Sequence, residues 1–113
     1  MKDRFNFRFW NNLSKQYENT YSLKSCDFLD YVIPEQCTGL NDINGKLIYE
    51  GDIIKSKQYD EIKVVYWNEH YSAFRVKYEN TLDCGIIWQN YIDEYEIEVI
   101  GNIHENKELL DER

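Results

Sequence analysis

Residues 36–55 constrain the fold of this chain more than any other segment. They read QCTGLNDINGKLIYEGDIIK and hold three of the five glycines. Asn44-Gly45 is a pair that strongly favours a tight chain reversal, and the apolar run 47–49 follows it. Gly51-Asp52 precedes the aliphatic pair Ile53-Ile54, and glycine allows the backbone to bend sharply there. The segment therefore predicts a turn, a short strand, a second turn and another strand.

Alternating or β-branched runs predict further strands on both sides of this segment. Residues 4–10, RFNFRFW, alternate strictly, which predicts a strand with one face toward a core. Residues 61–67 and 73–78 are rich in β-branched and aromatic side chains and are joined by a short polar connector, so they predict an antiparallel hairpin. Residues 86–88 predict a brief strand, and residues 95–100 alternate again and predict another.

The remaining segments predict an arm at one end and a helical turn at the other. Residues 13–30 are polar, contain several Tyr and Ser, and lack a clear period, which predicts an irregular arm or an extended excursion, with one strand within it as an open alternative. Pro34 marks a boundary, because proline cannot donate a hydrogen bond in a ladder. Residues 106–110 predict one helical turn. We therefore expect an all-β or mainly β protein, with an N-terminal strand and arm over residues 1–33 and a small β-barrel over residues 34–113.

The charge of the chain disfavours direct binding to nucleic acid. Thirteen basic and 21 acidic residues give a net charge of −8, whereas binding to a phosphate backbone needs clustered Lys and Arg. Residues 90–113 hold eight acidic and two basic side chains. Four of the acidic residues form a candidate acidic face: Asp93, Glu94, Glu96 and Glu98. Glu96 and Glu98 are expected on the solvent face of the strand predicted at residues 95–100.

No motif in the sequence predicts catalysis, a metal site or a cofactor. Cys26, Cys37 and Cys84 are an odd set without CxxC spacing, which is typical of reduced thiols in the cytoplasm. His70 and His104 have no companions at metal-coordinating spacing, and the sequence contains neither a P-loop nor a dinucleotide fingerprint. The first thirty residues contain no apolar run of the kind found in signal peptides or membrane helices. We therefore expect a non-enzymatic cytoplasmic protein with no membrane contact.

Aromatic residues are the best candidates for a binding role. Aromatic side chains near strand ends or loops stack on bases or anchor protein partners. Five residues are the candidates: Trp10, Trp67, Tyr71, Trp88 and Tyr91. An alternative stays open for Trp67 and Trp88, because a small barrel also needs large residues to fill its core or a subunit interface.

Four segments of the chain are similar to one protein family. The start RFNFRFW, then CTGLNDINGKLIYEGDIIK, VVYWNEHYSAFRV and YEIEVIGNIHENKELL together resemble the YopX family of bacteriophage and prophage proteins, over roughly three-quarters of the chain. The resemblance implies a phage-borne intracellular protein, an SH3-like barrel in its C-terminal two-thirds and assembly into homo-oligomers. It carries over no catalytic residue, because the family has no established reaction. The conspicuous motif residues are expected to form turns and bends: Gly39, Asn44, Gly45, Gly51, Asp52, Gly101 and Asn102.

Taken together, the residue patterns predict a non-enzymatic protein that acts by binding, and the resemblance implies a phage or prophage protein that self-associates. The alternative is an acidic inhibitor of a host defence system, which has two forms. In one form, the acidic face mimics nucleic acid and binds a host nuclease that has a basic surface. In the other form, a pocket sequesters a nucleotide signal, and four cations are available to contact its phosphates: Arg8, Lys46, Lys55 and Lys63.

Overall fold

The computed structural model describes residues 6–18, 30–78 and 83–111. The strands are β1 (Phe7–Asn11), β2 (Gln16–Glu18), β3 (Val32–Asn41), β4 (Leu47–Tyr49), β5 (Asp52–Ser56), β6 (Ile62–Asn68), β7 (Ala73–Lys77), β8 (Asp83–Ile86) and β9 (Ile97–Asn102). The helices of the described part are α1 (Gln89–Tyr95) and α2 (Glu108–Asp111), and neither has the length and apolar character that a membrane crossing needs. The described protein is therefore mainly β. Arg4, Phe5, Cys26 and most of the predicted arm lie outside it.

The strands form two antiparallel sheets, with the orders β2-β1-β3-β4 and β8-β7-β6-β5-β9. Within the arm predicted at residues 13–30, β2 pairs with β1. β3 spans the boundary predicted after residue 33: its first half pairs with β1, and Cys37 and Asn41 pair with β4. The register shifts between those two pairs, where Gly39 has a φ of 84°. The division into residues 1–33 and 34–113 stays a prediction.

The five-stranded sheet is covered on both faces, which explains the aliphatic pair in β5. Ile53 packs on one side with Val64 and with Leu110 of α2. Its neighbour Ile54 belongs to the main core on the other side, and the remaining buried members of that core are Ile48, Val65, Val76, Ile87, Ile92 and Ile97. Because both faces of β5 are buried, this strand lacks the apolar–polar alternation of a half-buried strand.

The turn between β3 and β4 lies where the sequence predicts it. Gly45 has a φ of 86°, and the backbone N–H of Asp42 donates to the carbonyl of Lys46 at 2.8 Å. The carboxylate of Asp42 fixes this turn, because its Oδ1 accepts the N–H groups of Asn44 and Lys46, both at 2.9 Å. Its Oδ2 accepts the N–H of Val99 in β9, also at 2.9 Å. Asp42 therefore ties the turn to the five-stranded sheet.

The β6–β7 hairpin and the C-terminal helical turn are confirmed, but the strand predicted at residues 95–100 starts later. β9 begins at Ile97, because residues 89–95 form α1, and Glu96 ends that helix in the left-handed conformation with a φ of 52°. The sequence does not predict this helix, since Ile92 is its one buried residue and gives no helical period. The strand predicted at residues 86–88 is displaced too, because β8 covers Asp83–Ile86.

Candidate functional site

A buried polar cluster centred on Glu35 links the two sheets. The Glu35 side chain is 4% exposed. Its Oε1 accepts Nε of Arg8 at 2.8 Å and the Tyr17 hydroxyl at 2.9 Å, and its Oε2 lies 2.8 Å from Nε2 of His104. These residues come from β1, β2, β3 and the segment after β9, so one carboxylate joins four parts of the chain. We call Arg8, Tyr17, Glu35, Asp52 and His104 the Glu35 cluster.

Arg8 also contacts the second carboxylate of the Glu35 cluster. Its Nη2 lies 2.7 Å from Oδ1 of Asp52 and forms an ion pair with this carboxylate. Asp52 is fully buried, and its Oδ2 accepts the backbone N–H of Tyr49 at 2.8 Å. The guanidinium carbon of Arg8 lies 4.6 Å from the ring centre of Tyr17 and 4.8 Å from that of Tyr49. From the sequence we expect only a bend at Asp52, whereas the residue is a buried partner of a cation.

Burial and charge determine the protonation of the cluster. Burial lowers the pKa of Arg8, but the charges of Asp52 and Glu35 raise it by more, so this pKa lies above its usual value. Burial raises the pKa of Tyr17, and the neighbouring Glu35 carboxylate raises it further. Burial also raises the pKa of Asp52, against the opposing charge of Arg8. At neutral pH, Arg8 is therefore a cation and Tyr17 is a neutral hydrogen-bond donor.

His104 reaches Glu35 because a tight turn places it there. The side-chain Oδ1 of Asn102 accepts the backbone N–H of His104 at 3.0 Å. The imidazole stacks on the indole of Trp10, with the ring centres 4.6 Å apart and 6° between the planes. Trp10 is 3% exposed, so this candidate interaction residue is not available to a partner.

The prediction of a single core face for β1 is wrong, because Phe9 and Trp10 are both buried and point to opposite faces.

A cleft of about 510 Å³ opens beside this cluster, and we call it the Glu35 cleft. Glu35 and Gly51 form part of its wall. A Cβ atom at Gly51 would lie 2.7 Å from Oε2 of Glu35, so only glycine lets the chain approach the carboxylate this closely. Most of the other lining residues are apolar, two are lysines, one is a tyrosine and one is a second glutamate: Ile33, Pro34, Val64, Val65, Ile103, Leu110, Lys77, Lys107, Tyr66 and Glu50.

A second cleft, of about 340 Å³, lies at an open end of the main core, and we call it the aromatic mouth. Its nine lining residues are all uncharged, and they include Trp67, Phe74, Ile86 and Trp88. Trp67 and Trp88 are 42% and 58% exposed, so neither is a core residue. Trp67 contacts Phe74 edge to face, with the ring centres 5.0 Å apart. The sequence allows these tryptophans to fill the core or a subunit interface. Their exposure excludes the core, so the subunit interface stays open.

The other two candidate aromatics lie against cations of the same chain. Tyr71 is 59% exposed, and the guanidinium carbon of Arg75 lies 4.4 Å from its ring centre. Tyr91 is half-buried in α1, with Nζ of Lys63 5.7 Å from its ring centre. Burial raises the pKa of Tyr91, although the charge of Lys63 opposes this shift. Neither tyrosine lines the Glu35 cleft or the aromatic mouth.

The candidate acidic face is divided between two elements. Asp93 and Glu94 are exposed on α1. Glu96 follows the helix, and Glu98 lies on β9, where its Oε2 is 3.9 Å from Nζ of Lys57. The prediction that Glu96 and Glu98 share the solvent face of one strand is wrong, because the strand begins after Glu96.

Three of the four cations suggested as phosphate contacts already have carboxylate partners. Arg8 is enclosed in the Glu35 cluster. Lys55 lies 3.7 Å from a carboxylate oxygen of Asp60, and Lys63 lies 3.3 Å from one of Glu61. Within the described ranges, no three His, Cys, Asp or Glu side chains are grouped as a metal ion would require. Arg8, Lys55 and Lys63 are therefore already engaged by carboxylates of the same chain.

Local sequence patterns do not reveal the Glu35 cluster. Arg8 lies in an alternating strand between two phenylalanines, and a buried arginine there needs a carboxylate partner. The pattern does not say which carboxylate, because Arg8 and Glu35 are 27 residues apart in the chain, and Glu35 and His104 are 69 apart. Next to Glu105, His104 has the sequence context of an ordinary turn residue.

Comparisons with known proteins identify the family. The family model described as YopX protein matches residues 8–111. The chain belongs to the YopX family. This match confirms the resemblance of its four sequence segments, and it includes every residue of the Glu35 cluster.

The YopX-family chain is also similar to a solved structure, the crystal structure of protein EF1440 from Enterococcus faecalis. The TM-score is 0.63, with 24% sequence identity, and the similarity covers 92% of this chain and 96% of that chain. At this identity the similarity supports the fold alone. Among curated proteins, none matches the chain.

Proposed function

We propose that this YopX-family protein acts by binding, and that its copies associate through the aromatic mouth. The composition of this surface carries the proposal: two exposed tryptophans lie in a cleft with no charged lining residue. In the whole chain, by contrast, 30% of the residues are charged. Tryptophan is among the residues that contribute most to binding energy in protein interfaces. An uncharged surface with two such anchors is therefore suited to a protein partner.

A second copy of the chain is the partner that best fits the mouth. A two-fold symmetric interface places the same surface on both sides, so a charge near its axis faces a like charge. Two copies that each carry a net charge of −8 repel each other over much of their surfaces. The aromatic mouth avoids like-charge contacts because its lining is uncharged.

The Glu35 cluster supports a binding protein rather than an enzyme. The carboxylate of Glu35 is buried and already has three partners, Arg8, Tyr17 and His104. A general acid or base has to come within hydrogen-bond reach of a substrate proton. We therefore assign the cluster a structural role, in which it holds the N-terminal strands to the segment after β9.

Three further statements belong to this proposal. Residues 34–113 form a small SH3-like barrel, which the shared core of β4, the five-stranded sheet and α1 supports. The protein has a phage or prophage origin, which its family supports. It acts in the cytoplasm of the bacterial host, which the reduced-thiol pattern of its cysteines supports.

Native mass spectrometry tests the self-association. We expect a closed oligomer for the wild-type protein and a monomer for Trp88→Glu, which places a charge in the mouth. Tyr71→Glu is the matched control, because Tyr71 is 59% exposed, against 58% for Trp88, but lies outside the mouth. This control should keep the wild-type mass. A monomeric wild type, or an unchanged oligomer for Trp88→Glu, contradicts the proposal.

Inhibition of a basic host protein is the second candidate function, and the exposure of Asp93 and Glu94 on α1 favours it. Exposed carboxylates on a chain of net charge −8 favour a partner with a basic surface, such as the channel of a nuclease. The charge reversal Asp93→Lys with Glu94→Lys should abolish capture of such a nuclease from host lysate, whereas Trp88→Glu should leave it intact. Unchanged capture by the charge-reversed protein rejects this candidate.

A further inference from the structure

The Glu35 cleft is a binding surface separate from the aromatic mouth, because no residue lines both. Its volume of about 510 Å³ lies within the range of small-molecule sites, roughly 300–1,000 Å³. We propose that the Glu35 cleft binds a small amphiphilic anion, namely an aliphatic molecule that ends in one carboxylate. This ligand site is independent of self-association at the mouth.

The apolar part of the cleft is suited to an aliphatic chain. Val64 and Leu110 are buried and pack together in one apolar cluster. Ile33 and Ile103 line the same cleft and are 40% and 37% exposed. A ligand that covers these two isoleucines gains the free energy of removing their surface from water. The cleft therefore favours an apolar body over a polar one.

Two cations of the cleft have no carboxylate partner among the described residues. Nζ of Lys77 lies 4.7 Å from the ring centre of Tyr66, and Lys107 makes no ion pair within the same part of the chain. Three other lysines do pair with carboxylates: Lys55, Lys57 and Lys63. In a chain with 21 acidic residues, two unpaired lysines on one cleft are available to an external anion.

The acidic groups of the cleft are engaged within the protein. The Glu35 carboxylate contacts Arg8, Tyr17 and His104. Glu50 is half-buried, and its Oε1 accepts the backbone N–H of Gln36 at 2.9 Å. Glu35 is paired with Arg8, and Glu50 accepts a backbone N–H, whereas Lys77 and Lys107 have no carboxylate partner among the described residues. The cleft therefore offers a ligand positive charge. This difference selects an anion over a cation.

The wall of the cleft is held in place before any ligand binds. The N–H of Gly51 donates to the carbonyl of Val65 at 2.8 Å, and the N–H of Ile103 donates to the carbonyl of Gly51 at 3.0 Å. Glu35 packs against Gly51, and the Glu35 cluster fixes the position of Glu35. A wall fixed in this way does not need to be ordered during binding, which favours affinity.

Nuclear magnetic resonance titrations with three ligands of equal chain length test the site. The ligands are octanoate, octanol and octyltrimethylammonium, and the amide signals of Gly51 and Ile103 report on the cleft. We expect octanoate to bind about tenfold more tightly than octanol, and octyltrimethylammonium to bind more weakly than either. Lys77→Met and Lys107→Met should each weaken octanoate binding about two- to fivefold and leave octanol binding unchanged.

Two further variants separate the cleft from general charge effects. Lys55→Met removes a lysine outside the cleft and should leave octanoate binding unchanged. Ile33→Glu places a carboxylate on the rim, so it should abolish octanoate binding and strengthen that of octyltrimethylammonium. The titrations are repeated with the Trp88→Glu variant, which we expect to be monomeric. Octanoate binding is then measured independently of self-association at the mouth.

Three outcomes would overturn the inference. The first is that octyltrimethylammonium shifts the Gly51 and Ile103 signals at the same concentrations as octanoate. The second is that Lys55→Met weakens octanoate binding as much as Lys77→Met does. The third is that octanoate up to about 1 mM shifts neither signal.

Discussion

Replacing Glu35 by Ala is expected to destabilise the protein by about 3 kcal/mol. The change removes the acceptor of Arg8, Tyr17 and His104, whose contacts with the carboxylate are 2.8, 2.9 and 2.8 Å long. Breaking a buried ion pair by removing one partner costs about 3–5 kcal/mol, because the remaining charge stays buried without compensation. Arg8 keeps its 2.7 Å contact with Asp52, so we expect the lower end of that range.

Urea unfolding followed by tryptophan fluorescence measures this loss, since Trp10 stacks directly on His104. For a domain of this size, the expected loss corresponds to a decrease in Tm on the order of 10 °C. Glu69→Ala is the matched control, because Glu69 is exposed in the connection between β6 and β7. Its removal should change the free energy of unfolding by less than about 0.5 kcal/mol.

A loss in the free energy of unfolding below about 1 kcal/mol for Glu35→Ala would refute this reasoning. Such a loss is no more than a single ordinary hydrogen bond contributes. A double-mutant cycle with Arg8→Met gives a second test. The two changes should be non-additive by at least about 1 kcal/mol, since residues in one ion-pair network are coupled. Additive losses would mean that the 2.8 Å contact between Arg8 and Glu35 contributes no net stability.

Three further predictions concern local features. Asp42→Ala should cost about 2–4 kcal/mol and accelerate hydrogen exchange at the three amides that lose their acceptor; unchanged exchange would contradict it. Gly51→Ala should lower the free energy of unfolding by at least about 1 kcal/mol more than Gly45→Ala does. Both glycines have a positive φ, but only Gly51 lies against Glu35. Equal losses would show that this close approach is unimportant. Burial raises the pKa of Glu50 above its ordinary value of 4.5, so its stabilising contribution is complete below that value and is lost as the pH rises through the folded-state pKa. Glu50→Gln should therefore gain stability relative to wild type from about pH 4 to pH 7, and a constant difference in urea unfolding would disprove the assignment.

The parts of the fold that depend on local chemistry can be predicted from the sequence. Asn44-Gly45 predicts the turn before β4, and the β-branched runs around residues 61–78 predict the β6–β7 hairpin. In each case the signal lies within a few residues of the structure it causes. The helix α1 gives no such signal, because Ile92 is its one buried residue. A single contact with the core does not produce a periodic pattern.

The candidate sites depend on contacts between distant residues, which a local pattern does not contain. Arg8, Glu35 and His104 each have an ordinary sequence context, and only the packing of β1, β3 and the segment after β9 brings them together. The exposure of Trp67 and Trp88 is likewise set by where the main core ends. The sequence identifies these tryptophans as interaction candidates, but their position at an open end of the core is a property of the whole fold.

Sedimentation velocity at two salt concentrations tests self-association through the uncharged mouth most directly. Salt screens the repulsion between two copies of net charge −8, whereas it does not weaken apolar contacts. We predict that the wild-type protein associates more strongly in about 0.5 M than in about 0.05 M NaCl, and that Trp88→Glu is monomeric in both. Association that weakens with salt, or that persists in Trp88→Glu, would contradict self-association through the aromatic mouth.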